Sequence, residues 1–81
     1  MDYYYIYILQ SKIYPNRYYT GFTKDLKARP AAHNAGQDPH TSKYKPWRIK
    51  TSIAFTDKKQ ALGFEAYLKS PSGSAFAKKR L

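Results

Sequence analysis

The sequence predicts an α+β domain in which a three-stranded antiparallel sheet is flanked by helices, in the order β-β-α-β-α-α. Tyrosine and isoleucine dominate residues 3–9, strand character resumes at 17–22, and strict alternation returns at 49–55. Between and after the strands, residues 24–35 place side chains at spacings of three and four and residues 57–69 carry one apolar face, as helices do.

Residues 3–9 suit a pleated surface; Tyr3, Tyr5, Tyr7 and Leu9 share one face, with Tyr4, Ile6 and Ile8 on the other. Neither face is polar. Pro15 lies in a loop over 10–16, and the strand at 17–22 then closes a hairpin that brings Tyr7 and Tyr19 onto neighbouring strands, opening toward one groove. Gly21 leaves a bare backbone position where a ligand or helix can approach closely. Thr23 is placed to cap a helix over about 24–35, with Asp25 matching the positive end of its dipole and Leu26, Arg29, Pro30 and His33 on one side. Pro30 cannot donate to the carbonyl of Leu26, so it should kink or shorten that helix, at up to about 3 kcal/mol if uncompensated.

Gly36 and Pro39 mark residues 34–42 as a loop. In the third strand, Ile49, Thr51, Ile53 and Phe55 alternate with Lys50, Ser52 and Ala54. A second helix follows Thr56 to about residue 69, its apolar face built from Ala61, Leu62, Phe64 and Leu68, with Glu65 projecting into the same arc. The Ser-Pro-Ser-Gly-Ser stretch at 70–74 reads as a break, and 75–81 as a last short basic helix. No repeat or second domain is visible, so residues 1–81 are read as one domain.

Fifteen Lys and Arg against five Asp and Glu give a formal charge of +10, which favours a polyanionic partner because each neutralised phosphate releases counterions. A domain this short buries only about 60% of the surface its unfolded chain exposes, so the nine tyrosines must supply much of the packing. The absence of cysteine excludes a thiolate zinc site and a disulfide scaffold. No apolar run approaches a membrane span and Met1 is followed by Asp2, so a cytoplasmic protein with no membrane contact is expected.

Each candidate site residue carries an ordinary reading beside a chemical one. Glu65 on an apolar arc must be protonated, paired with one of the cations or bound to a metal; with carboxylate oxygen as the ligand, that metal is magnesium or manganese, completed by phosphate and water. Arg29 is a solvated surface residue or a fork onto a phosphate, and His33 a packing imidazole or a proton acceptor near pH 7. Tyr7 and Tyr19 are core rings or site phenols; a phenol with a pKa near 10 is a poor base unless a cation couples to it.

Taken in order, these residues fall into a pattern. Tyr5-Ile6-Tyr7 precedes Tyr19-Thr20-Gly21 with twelve residues from Tyr7 to Tyr19; Asp25-Leu26-Lys27-Ala28-Arg29 and His33-Asn34-Ala35-Gly36 follow. Lys45-Pro46-Trp47-Arg48 leads into the third strand, and Phe64-Glu65-Ala66-Tyr67-Leu68-Lys69-Ser70 holds the acidic residue. Over residues 2–79 the chain resembles the GIY-YIG nuclease superfamily, especially small stand-alone bacterial members related to the nuclease domain of a DNA-repair excinuclease. The resemblance implies a DNA endonuclease using Mg2+ or Mn2+, with branched or damaged DNA and DNA repair as its setting. It implies that Tyr7 and Tyr19 flank the reacting phosphate, that Arg29 stabilises the transition state, that His33 assists, and that Glu65 holds the ion. A protein partner or a homo-oligomer would have to add any substrate choice the surface lacks. The chain departs from the pattern at Tyr5, Thr20 and Pro30, and residues 70–81 contain no match for the late asparagine of many members. Pro30 would re-aim Arg29 by bending its helix. The alternative function is a non-catalytic nucleic-acid-binding module with an impaired nuclease site.

Overall fold

In a computed structural model, which describes residues 2–81, the chain forms a three-stranded antiparallel sheet with helices on both faces. Strands β1 (Tyr4–Ser11), β2 (Tyr18–Thr23) and β3 (Trp47–Phe55) lie in the order β2-β1-β3. Helix α1 (Ala28–Asn34) and a 3-10 turn (Ser42–Tyr44) separate β2 from β3; α2 (Lys58–Leu68) and α3 (Pro71–Arg80) close the chain. Among the described residues no helix is long and apolar enough to cross a membrane.

The central position of β1 explains why it has no polar face. Ile6 and Ile8 pack with Ala61 and Leu68, while Phe22, Phe55 and Phe64 complete the layer beneath α2 and α3. Tyr7 and Leu9 pack with Trp47 on the opposite face, together with Tyr19, Leu26 and Tyr44. One strand therefore feeds two thin cores, as its doubly apolar sequence requires.

Several boundaries differ from the sequence reading. Thr23 ends β2 and does not cap α1: its hydroxyl accepts from the amide of Asp25, whose carboxylate in turn accepts from the amides of Lys27 and Ala28 at 3.1 and 3.0 Å. The Asp25 side chain thus supplies the capping bonds, and the helix begins at Ala28, four residues later than the apolar spacing suggested. Pro30 consequently sits in the first turn, where the missing N–H is one the helix would leave unpaired. It goes with a shortened helix and leaves Arg29 at the second helical position.

At the other end, Ser70 is the N-cap of α3, accepting from the amide of Gly73, and Pro71 is its first residue. The Ser-Pro-Ser-Gly-Ser stretch follows the end of α2, as the sequence suggested, and it also begins the next helix, at Pro71 and not at residue 75. A Cβ on Gly73 would lie 1.7 Å from the carbonyl oxygen of Tyr67, so the glycine is what lets α3 cross the end of α2. In β3 a bulge interrupts the alternation: Thr51 pairs with Ile8 but Ile49 pairs with Leu9, so Ile49 joins the α1 side and Lys50 is the extra residue.

Candidate active site

Tyr7 leaves the middle of β1 toward α1. The register sets it opposite Gly21 and sets Tyr19 opposite Leu9, so the two tyrosines lie diagonally on one face with ring centroids 6.3 Å apart. A Cβ at residue 21 would stand 2.4 Å from Tyr7 Oη and 2.5 Å from Cζ. The occupant of the bare backbone is thus the Tyr7 ring itself, not the external ligand or helix that the sequence suggested. His33, reaching over from α1, completes the triangle with its ring centroid 6.2 Å from Tyr7 and 4.6 Å from Tyr19.

His33 is fully buried and both of its nitrogens are engaged: Nε2 lies 3.1 Å from Tyr7 Oη and Nδ1 2.9 Å from Thr41 Oγ1. The Asp38 carboxylate stands 4.0 Å from Nδ1. Burial pushes the His33 imidazole below its ordinary 6.5, the Arg29 charge acts the same way, and Asp38 opposes them. At neutral pH the ring is uncharged. Burial also pushes the Tyr7 phenol above its ordinary 10.0; Tyr19 and Glu65 add to the rise and the Arg29 guanidinium counters it. With 1% of its surface exposed, Tyr7 does not open into a groove as expected from the sequence; Tyr19, half-buried, is the more exposed of the two residues.

Arg29 is exposed on the first turn of α1, close enough for its charge to act on both Tyr7 and His33. Glu65 sits in the middle of α2, at the margin of a stripe that buries Ala61 and Leu68, and its carboxylate pairs with Lys69 one turn on at 3.3 Å. That pairing is the ordinary alternative for Glu65, and an i,i+4 pair with a solvent-exposed lysine contributes about 0.3–0.5 kcal/mol, too little to hold the carboxylate against a better cation. Tyr7, Tyr19 and His33 are therefore in mutual contact, Arg29 stands beside them, and Glu65 reaches Tyr7 through its charge.

Sequence reasoning missed the residues behind His33. Thr41 is buried between the imidazole and the indole, its carbonyl accepting from Trp47 Nε1 at 2.9 Å. Asn34, which follows the histidine, donates to the Trp47 carbonyl at 3.0 Å and accepts from the Trp47 amide, tying the end of α1 to the start of β3. The local signal was a turn: Asp38 before Pro39 accepts from the His40 amide at 2.8 Å, and the chain then bends back to deliver Thr41.

Among the described residues, no group of three or more His, Cys, Asp or Glu side chains could hold a metal ion unaided. The donors near Tyr7 are one carboxylate and phenolic oxygens, with both histidine nitrogens already engaged. This hard, sparse set suits a hard divalent cation, whose shell phosphate oxygens and water would have to complete.

Compared with known protein families, residues 3–80 match the GIY-YIG catalytic domain. A UPF0213 protein from Lacticaseibacillus paracasei is 42% identical over 67 residues, which span 82% of this chain and 73% of the relative. A UPF0213 protein from Streptococcus pyogenes serotype M5 is 38% identical over 69 residues, spanning 80% of this chain and 70% of that protein.

Proposed function

The chain belongs to the GIY-YIG family of nuclease domains, and from that premise we propose that it is a divalent-metal-dependent endonuclease hydrolysing phosphodiester bonds in DNA, branched or damaged DNA included. The observation that carries this reading is the Tyr7–Tyr19–His33 triangle with Arg29 beside it: two phenols, a neutral proton acceptor and a cation with no carboxylate partner among the described residues. A core needs the rings. It does not need a guanidinium next to them.

Arg29, exposed and on the first turn of α1, takes the non-bridging phosphate oxygens and is drawn outward from Tyr7 as it does so. Tyr19 lines the other side of the reacting phosphate. Attack by water requires a place for one proton. Tyr7 Oη accepts it while the phenol's own proton passes to His33 Nε2, 3.1 Å away, so that the imidazole becomes imidazolium beside the Asp38 carboxylate. Hydroxide bonds to phosphorus, the bond from phosphorus to the leaving oxygen breaks, the leaving oxygen takes a proton from solvent, and the imidazolium returns its proton through Tyr7 to solvent, restoring the neutral pair. Glu65 would hold the cation, exchanging Lys69 for it, and the cation when bound supplies positive charge against the phosphate.

Single-turnover cleavage of linear, nicked, flap and branched DNA with and without Mn2+ tests the proposal. Glu65→Ala should abolish metal-dependent cleavage while DNA binding, driven by the +10 charge, persists and weakens steeply with salt. Arg29→Ala should lose turnover at saturating DNA, because its contact strengthens in the transition state. Wild-type rates in either variant reject that residue's role. Salt-sensitive binding with no cleavage by the unmodified protein on any substrate would instead establish a binding module, a reading the Glu65–Lys69 pair favours.

A further inference from the structure

Neutral His33 carries one ring proton, and the two possible placements leave different groups satisfied. With the proton on Nε2, that nitrogen donates to Tyr7 Oη and the Thr41 hydroxyl donates to Nδ1. The phenolic proton of Tyr7 then finds no acceptor among the hydrogen bonds of the described residues: the oxygen is buried, Nε2 is its hydrogen-bond partner there, and the neighbouring Arg29 has only donors. With the proton on Nδ1, Tyr7 donates to Nε2, Nδ1 donates to Thr41 Oγ1, and the Thr41 hydroxyl donates to the Asp38 carbonyl at 3.4 Å. Every donor in this chain of bonds finds an acceptor, and no buried side-chain nitrogen or oxygen among the described residues is without a hydrogen-bond partner. The Asp38 carboxylate, 4.0 Å from Nδ1, adds an electrostatic preference for the same placement.

We infer that Thr41 and Asp38 hold His33 as its Nδ1–H tautomer, so that Nε2 is kept free as an acceptor for the Tyr7 proton, and that Thr41 is a positioning residue of the site. Thr41 can do this because it is itself fixed from three sides. Its carbonyl accepts from Trp47, its amide donates to the Asp38 carbonyl at 3.2 Å, and only 3% of it is exposed. A rotating surface hydroxyl would impose no such direction. The catalytic consequence rests on the nuclease reading above, but the tautomer does not.

Long-range proton–nitrogen correlation spectra of the full chain labelled with nitrogen-15 at histidine measure the tautomer directly, and His40→Gln, an exposed loop change, removes the signals of the other histidine. The unmodified protein at neutral pH should show a protonated Nδ1 and a bare Nε2. Thr41→Val, which keeps the shape and removes the acceptor, should move the proton toward Nε2, and Thr41→Ser should restore it. In single-turnover cleavage Thr41→Val should lower the rate at saturating DNA about tenfold or more with little change in DNA affinity. A proton on Nε2 in the unmodified protein overturns the inference even if Thr41→Val fails to fold. So does a folded Thr41→Val with an unchanged tautomer. Lack of cleavage by a protein with the expected tautomer would reject the nuclease reading and leave the tautomer assignment standing.

Discussion

Gly21→Ala is the smallest change that strikes the site through packing alone. The added methyl would meet Tyr7 Oη at 2.4 Å, Cζ at 2.5 Å and Cε1 at 2.9 Å, all well inside van der Waals contact. These atoms belong to a ring closed in by Tyr19 and His33, so relief requires moving the ring by roughly 1 Å or parting β1 from β2. Overpacking of this kind costs about 1–3 kcal/mol, against which the lower entropy of an unfolded alanine returns about 0.4–1 kcal/mol. A net loss of about 1–2 kcal/mol lowers Tm by roughly 5–15 °C in a domain of this size. A ring displaced by about 1 Å also loses its bond to His33, and cleavage should fall by about 100-fold. Circular-dichroism melting and single-turnover cleavage below the transition measure both effects. Repeating the change in a Tyr7→Phe background separates ring from hydroxyl: Cζ and Cε1 remain too close, so most of the stability loss should persist. A Tm within about 1 °C of the parent, with unchanged cleavage, would refute the placement of the ring over residue 21.

Gly73→Ala should cost at least as much stability as Gly21→Ala, since its Cβ would lie 1.7 Å from the Tyr67 carbonyl oxygen and the obstacle is backbone; an unchanged melting curve would rule out the close crossing of α2 and α3. Asp25→Ala removes the acceptor for the amides of Lys27 and Ala28, and chemical denaturation should show a loss of about 1 kcal/mol, while Asp25→Asn should retain most of it. The lowered pKa of His33 sets the acid limb of stability. The unfolded chain takes up a proton near 6.5 that the folded chain refuses, so this contribution is present above 6.5 and is lost as pH falls through the lower folded value. Melting temperatures should therefore drop between about pH 7 and pH 5, before the carboxylates titrate, and a flat or rising profile there contradicts a buried neutral imidazole.

Strand identity and helix identity were legible because periodicity is a local property. The 3–9 stretch, for example, reads as a strand with no polar face, and β1 is that strand, central in the sheet and covered on both sides. What was misread depended on partners distant in sequence. Ile49 and Thr51 alternate correctly in isolation, yet the bulge opposite Ile8 and Leu9 puts them on different faces. Ser70-Pro71 carries both a stop and a start signal, and both are used: α2 ends at Leu68 and α3 begins at Pro71, in close approach to Tyr67. The same limit governs the site. Tyr7, Tyr19, Arg29, His33 and Glu65 stood out by type and spacing, whereas Thr41 is an unremarkable loop threonine until the turn at Asp38 brings it against the imidazole.

In so small a domain the chemistry and the core share residues, and this decides how the site can be interrogated. Tyr7 and His33 are among the largest fully buried side chains of the described residues, and Tyr7 heads one of the two core clusters. Replacing either by alanine removes a proton-transfer group and opens a cavity at once, with a stability loss on the order of 3 kcal/mol or more for the aromatic ring. Lost activity in such a variant would not separate mechanism from unfolding. Arg29 is exposed and Glu65 is partly exposed with a surface partner, so their substitution should stay within about 0.5 kcal/mol of the parent stability. A rate loss in those two variants at unchanged Tm therefore reads on chemistry alone. For Tyr7 and His33 the informative changes are those that preserve volume: Tyr7→Phe removes only the proton donor to Nε2, and its effect on rate should exceed what its effect on Tm explains. If rate and stability instead fall in proportion across Tyr7→Phe, Gly21→Ala and Thr41→Val, the triangle is packing, and the chemistry must be carried by other groups.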